Sequence, residues 1–175
     1  NEFKLDIRYA STNNFMRSKF YENERAFFNS NAAVRLIDAK NELKKLGYGI
    51  IIYDAYRPWF VTKMFWEGTP ENLKHFVANP ENGSSHNKGC AIDIGLYDIK
   101  TGESIVMISG YDEFTERAYP SYMGGSKKQR DIRDMLIQIM ERNDFTVYEY
   151  EWWHFNYNKC DSGIMNYSFS ELDSL

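Results

Sequence analysis

The stretch "AIDIGLYD", residues 91–98, alternates with a period of two: Ile92, Ile94 and Leu96 share one face, and Ala91, Asp93, Gly95 and Tyr97 share the other. Successive side chains of a strand point to opposite faces, so this reads as a half-buried strand, with Asp93 directed toward a cleft or solvent. Upstream, "GIIIYDAYRP" at 49–58 holds a continuous apolar run bounded by Gly49 and Pro58. It reads as a strand covered on both faces that ends where Asp54 and Arg57 emerge. Ala33, Leu36, Ile37 and Leu43 recur at helical spacing, with Ser30 or Asn31 as N-cap and Gly47 as stop, and predict an amphipathic helix over 31–46. "VTKMFWE" at 61–67 predicts a short helix, and residues 79–85 form a loop rich in turn formers. Ile132, Met135, Leu136 and Ile139 predict a helix over 126–143, after which the aromatic and β-branched residues of 145–157 return to strand character. Helices and strands mix without a regular βαβ alternation, so the expected fold is α+β, a mainly antiparallel central sheet flanked by helices. No repeat, low-complexity tract or linker divides the chain, and residues 1–175 are read as one domain.

Composition narrows the classes of function. A chain of 175 residues, 43% hydrophobic and 17% aromatic, can bury a real core and is not disordered. The net charge of −4 argues against a nucleic-acid partner, because the only short basic clusters are Lys44-Lys45 and Lys127-Lys128. No apolar run approaches the roughly 18 residues that span a bilayer. The chain opens on Asn1 rather than Met; the expectation is a bacterial periplasmic or envelope location if a leader was removed, and a cytoplasmic one otherwise. Cys90 and Cys160 suit neither a disulfide framework nor a paired-Cys zinc motif, and each is read as a buried free thiol. Oligomeric state is not legible.

Of three histidines, two lie near acids. His86 sits in "SSHNKGCAID", seven residues before Asp93, and His154 closes "EWWH", three after Glu151; His75, in "LKHF", reads as a surface or helix-end residue. Two imidazoles and one carboxylate suffice for a catalytic Zn²⁺ site that keeps one position open. His86, Asp93 and His154 can supply them, the turn at Gly89 bringing His86 back toward the strand that carries Asp93. Glu151 is then the free carboxylate beside the activated water. Residues three apart on a regular strand face opposite ways, so this arrangement requires irregular backbone within 150–154. Each residue also has a plainer reading, and spacing alone leaves these open: a polar-edged sheet for "EWWH", a turn cap for Asp93, a structural salt bridge for Arg57, and loop backbone satisfaction for Ser84 or Ser85.

Taken in order, "RYASTNNF" at 8–15, "YDAYRP", "FVANPENGSSHNKGCAIDIGLYD", "GYDEF" and "EWWHFNY" resemble the VanX-type D-alanyl-D-alanine dipeptidases, zinc enzymes related to the D-Ala-D-Ala carboxypeptidases. The resemblance runs almost to the C-terminus. It implies one Zn²⁺ per chain on His86, Asp93 and His154, Glu151 as general base and then acid, and Arg57 at the tetrahedral oxyanion. It also implies Asp112 at the ammonium of a small D-amino-acid dipeptide, with Tyr9 and Ser84 as further substrate contacts. The chain departs from the family's pattern at Ser109-Gly110 (usually Met-Gly), at Asn13 (usually Asp), at Cys90 (usually a small hydroxyl residue) and in a shorter segment between Arg57 and His86. These departures bear on substrate preference and leave the metal set intact. The alternatives are a D,D-carboxypeptidase or endopeptidase acting on peptidoglycan peptides with the same site, or a non-catalytic binder of cell-wall peptides.

Overall fold

In the computed structural model, which describes residues 3–174, the strand of the opening motif, β3 (Ala91–Asp98), lies at the centre of a five-stranded sheet. Its neighbours are β2 (Tyr48–Asp54) and β5 (Glu151–Tyr157), and the edges are β1 (Lys4–Leu5) and β4 (Phe145–Tyr148), in the order β1-β2-β3-β5-β4. Only β1 on β2 is parallel; the other pairings are antiparallel. The fold is α+β, as the element order in the sequence indicates.

Partners across a ladder share a face, and Ile50 with Leu96, Ile52 with Ile94, and Ile92 with Phe155 are such partners. This apolar face packs under α1 (Ser30–Lys45) and α3 (Lys127–Arg142), which bring Leu36, Leu43, Leu136 and Ile139 to the same core. Each fully buried Leu or Ile contributes about 1.5–3 kcal/mol. The caps explain the helix starts. Asn29, one residue before the expected pair, accepts from the N–H groups of Asn31 and Ala32; Ser126 and Gln129 form a reciprocal capping box on α3. Two short helices, α2 (Trp59–Gly68) and α4 (Phe169–Leu172), complete the set.

The structure corrects two expectations. β3 is not half-buried, because Ala91 through Leu96 are all covered. Gly95 leaves room for the Tyr53 ring, which an added Cβ would overlap, and Tyr111 packs on Tyr53 with centroids 4.7 Å apart and rings tilted by 37°. The alternation gives the faces correctly, but Tyr53 of the neighbouring strand and Tyr111 from a loop roof the second one, so Asp93 faces a cleft. Cys90 and Cys160, expected as free thiols, form a disulfide. The pairing of Ala91 with Asn156 brings their strand ends together, with the Tyr157 N–H on the Cys90 carbonyl at 2.8 Å. Their Cα atoms are then 5.9 Å apart, within bridging range.

The hairpin joining β4 and β5 is irregular where the sequence requires it. Val147 pairs with Phe155, yet the adjacent Tyr148 pairs with Glu151, so residues 152–154 bulge out of register.

Candidate metal centre and active-site cleft

His86 rides on a short 3-10 turn, Ser85–Lys88. The Ser84 hydroxyl accepts from the His86 N–H at 3.2 Å, and the Asn87 side-chain oxygen accepts from the Ser84 N–H at 2.8 Å. Gly89, at φ 64°, then reverses the chain into β3, a conformation that favours glycine. Asp93 follows on β3, directly opposite His154 on β5. Register and turn together make a triangle: His86 Nε2 is 3.1 Å from His154 Nδ1, and Asp93 Oδ1 is 3.2 Å and 3.1 Å from those nitrogens.

Hydrogen bonds at the far side of each ring assign the protons. His86 Nδ1–H donates to the Ala55 carbonyl at 2.6 Å, and His154 Nε2–H donates to Asn156 Oδ1 at 3.0 Å. Both inward nitrogens therefore present lone pairs. They face Asp93 Oδ1, a buried oxygen without a hydrogen-bond partner among the described residues. Three electron-rich atoms in such proximity repel unless a cation joins them. A tetrahedral Zn²⁺ site with ligand bonds of about 2.05 Å has edges of about 3.3 Å, close to this triangle. His75 is exposed and lies outside the cluster.

The bulge turns Glu151 to the same side, with Oε2 3.8 Å from His154 Nδ1. Burial, then the charges of Asp93 and Asp112, push its carboxyl well above the ordinary range, against the pull of Arg57. A buried acid costs several kcal/mol, and the fully buried rings of Trp152 and Trp153 offset it by about 2–3 kcal/mol each.

Arg57 is also buried. Its Nε and Nη2 donate to Asp54 Oδ2 at 3.0 and 2.7 Å, and the Tyr21 hydroxyl donates to Asp54 Oδ1 at 2.7 Å. Burial alone would lower the Arg57 pKa; Asp54 and its neighbours outweigh it and hold the guanidinium above its usual value. The backbone joins this residue to the metal triangle, since Arg57 N–H donates to the His86 carbonyl and Asn87 Nδ2 donates to the Arg57 carbonyl. Arg57 Nη2 is 4.0 Å from Asp93 Oδ2.

Across the cleft, Asp112 sits at φ 58°, a left-handed conformation uncommon for a residue with a side chain. It accepts from the Tyr9 hydroxyl at 3.0 and 3.2 Å and from the Phe15 N–H at 3.4 Å. Burial first, and the Asp93 charge second, push its carboxyl up to about 7. The cleft between Asp112 and the triangle has a volume of about 200 Å³, with walls that include Phe15, Phe65, Phe76, Phe114 and Trp153. Ser84 also lines it.

Residues 1–173 match the Peptidase_M15 family, described as D-ala-D-ala dipeptidase. The chain belongs to this family. It is 32% identical over 173 residues to a D-alanyl-D-alanine dipeptidase of Enterococcus faecalis, covering 87% of this chain and 84% of that protein. For one from Enterococcus faecium the identity is 33% with the same coverage. For one from Escherichia coli it is 29% over 154 residues, covering 88% and 78%. Among solved structures, the LdcB LD-carboxypeptidase matches with a TM-score of 0.48 and 19% identity, covering 79% of this chain and 65% of that one.

As an M15 family member the chain is a metallopeptidase, and the ligand atoms of His86, Asp93 and His154, all within 4.8 Å of one another, fit a divalent ion. Residues that sequence reasoning missed support this M15 site from behind. Asp54, which the sequence places with Arg57 at a strand exit but gives no part in the site, anchors Arg57. Asn156, two residues after His154 and so on the same face of β5, was a usable signal. Tyr21, Asn87 and Tyr111 gave none, because their partners are set by tertiary contacts.

Proposed function

We propose that the chain hydrolyses D-Ala-D-Ala and similar small dipeptides with one zinc ion held by His86, Asp93 and His154. The observation that carries this reading is the buried, unpartnered Asp93 Oδ1 between two imidazole lone pairs, with Glu151 and Arg57 alongside. Zinc bound there would polarise the peptide carbonyl and lower the pKa of a bound water to about 7. Glu151 removes the water proton and later delivers it to the leaving amine, a role its place 3.8 Å from His154 Nδ1 allows. Arg57 is immobilised through two of its five N–H groups by Asp54, and the others serve the developing oxyanion.

Selectivity is assigned to the other end of the cleft. Asp112 faces only neutral donors, the Tyr9 hydroxyl and the Phe15 amide, so a substrate ammonium is its natural counter-charge. Ser84 is a further contact beside the metal site. A substrate without the ammonium leaves a buried carboxylate unpaired and is rejected strongly. The relatives named D-alanyl-D-alanine dipeptidases support the same substrate class. The test is turnover of D-Ala-D-Ala, its N-acetylated form and a D-Ala-D-Ala-terminated pentapeptide. The expected result is cleavage of the free dipeptide with the blocked form slower by at least about a hundredfold. Release of D-Ala from the pentapeptide while the dipeptide stays intact would reassign the chain as a carboxypeptidase.

A further inference from the structure

The two oxygens of Asp93 are treated differently. Oδ1 faces the imidazole lone pairs and has no hydrogen bond, whereas Oδ2 accepts from the Tyr111 hydroxyl at 2.9 Å. The Tyr111 oxygen also lies 3.3 Å from the Tyr9 oxygen, and Tyr9 donates onward to Asp112. Each phenol has one proton. With Tyr9 committed to Asp112 and Tyr111 to Asp93, both protons point outward and none lies between the two tyrosines.

The ring is held on both sides. Tyr53 packs on it at a tilt, with centroids 4.7 Å apart, and Trp153 meets it edge-on at 5.4 Å. Tyr53 can reach this position because Gly95 has no side chain. The Arg8 guanidinium lies over both tyrosines, 4.8 Å from the Tyr53 ring and 5.6 Å from the Tyr111 ring. The Tyr111 hydroxyl therefore arrives at Asp93 from a preorganised direction, with its rotamer fixed by packing.

We propose that Tyr111 is a positioning residue that divides the Asp93 carboxylate, occupying Oδ2 so that Oδ1 alone is donated to the metal. This rests on the metal reading above and deepens it. A carboxylate left free at both oxygens can grip an ion through both, raising the coordination number and using the position that substrate needs. Outer hydrogen bonds of this kind are worth about 10–100-fold in metal affinity.

The experiment uses the full chain loaded with zinc or, separately, with cobalt(II). Tyr111→Phe removes the hydroxyl and keeps the ring, and is expected to weaken zinc binding in chelator competition by about 10–100-fold. Its cobalt protein should show weaker visible bands as Oδ2 joins the ion. Tyr9→Phe, which leaves Asp93 untouched, should keep the wild-type zinc affinity within about threefold, well short of that loss. Incorporation of 3-fluorotyrosine at 111 preserves fold and hydroxyl, retains zinc, and should shift the cobalt bands because a more acidic phenol draws more charge from Asp93. Wild-type affinity and bands in Tyr111→Phe would overturn the proposal; should that variant fail to fold, unshifted bands in the fluorotyrosine protein would do so. A wild-type chain that takes up no metal would instead overturn the metal reading.

Discussion

Asp112 carries opposing demands. Its carboxyl rises from an ordinary 3.8 to about 7 on folding, so the folded chain binds the proton more tightly than the unfolded one. The favourable contribution is complete below about pH 4 and is lost as pH climbs through 7. Asp112→Asn removes this dependence: it should match the wild type in stability at pH 4 and exceed it at pH 8, by up to roughly 4 kcal/mol, in urea denaturation. The same variant should lose dipeptide turnover, and in the wild type KM for the dipeptide should rise as pH falls below 7 and the carboxylate is neutralised. Arg57→Lys keeps the charge but loses the fork that grips Asp54; kcat should fall about 10²–10³-fold with a smaller change in KM. At this scale the sequence was informative about residue type. His86, Asp93, Glu151 and His154 could be singled out because histidines are few and two of them stand near acids. Tyr111 could not, since nothing near it in sequence announces that its hydroxyl ends on Asp93.

The elements of the fold carry consequences that single residues do not. Gly95→Ala puts a methyl into the Tyr53 ring, so Tyr53 must move and Tyr111 loses its support. The variant should be destabilised by about 1–3 kcal/mol in thermal or urea unfolding and should hold metal less tightly. The disulfide joins the start of β3 to the chain beyond β5, and beyond Cys160 the Met165 N–H reaches the Asn87 carbonyl on the turn that bears His86. Replacing both cysteines by alanine should cost about 2–5 kcal/mol in urea unfolding. Helices α1 and α3 were legible because each buries one face and starts at a side-chain cap. The disulfide was not, because proximity of Cys90 and Cys160 depends on a strand register between segments 70 residues apart. The bulge opposite Tyr148 was legible only through chemistry: Glu151 and His154 meet on no regular strand.

At the scale of the whole molecule, the sheet has one face given to the core under α1 and α3 and the other to the cleft. Alternation along β3 assigns the two faces, but the roof over the second comes from Tyr53 of the neighbouring strand and Tyr111 of a loop, which is why β3 reads as half-exposed in sequence and is buried in the fold. No helix among the described residues is long and apolar enough to cross a membrane. The cleft holds the candidate metal triangle at one end and Asp112 at the other within about 200 Å³. The account stands on the triangle holding a metal while Glu151 works beside it without holding it. The most direct measurement is zinc stoichiometry and D-Ala-D-Ala turnover on the same preparations of wild type, Asp93→Ala and Glu151→Ala. The account predicts one zinc and turnover in the wild type, loss of both in Asp93→Ala, and a full zinc complement without turnover in Glu151→Ala. Undiminished turnover in Glu151→Ala, or full zinc in Asp93→Ala, would contradict it.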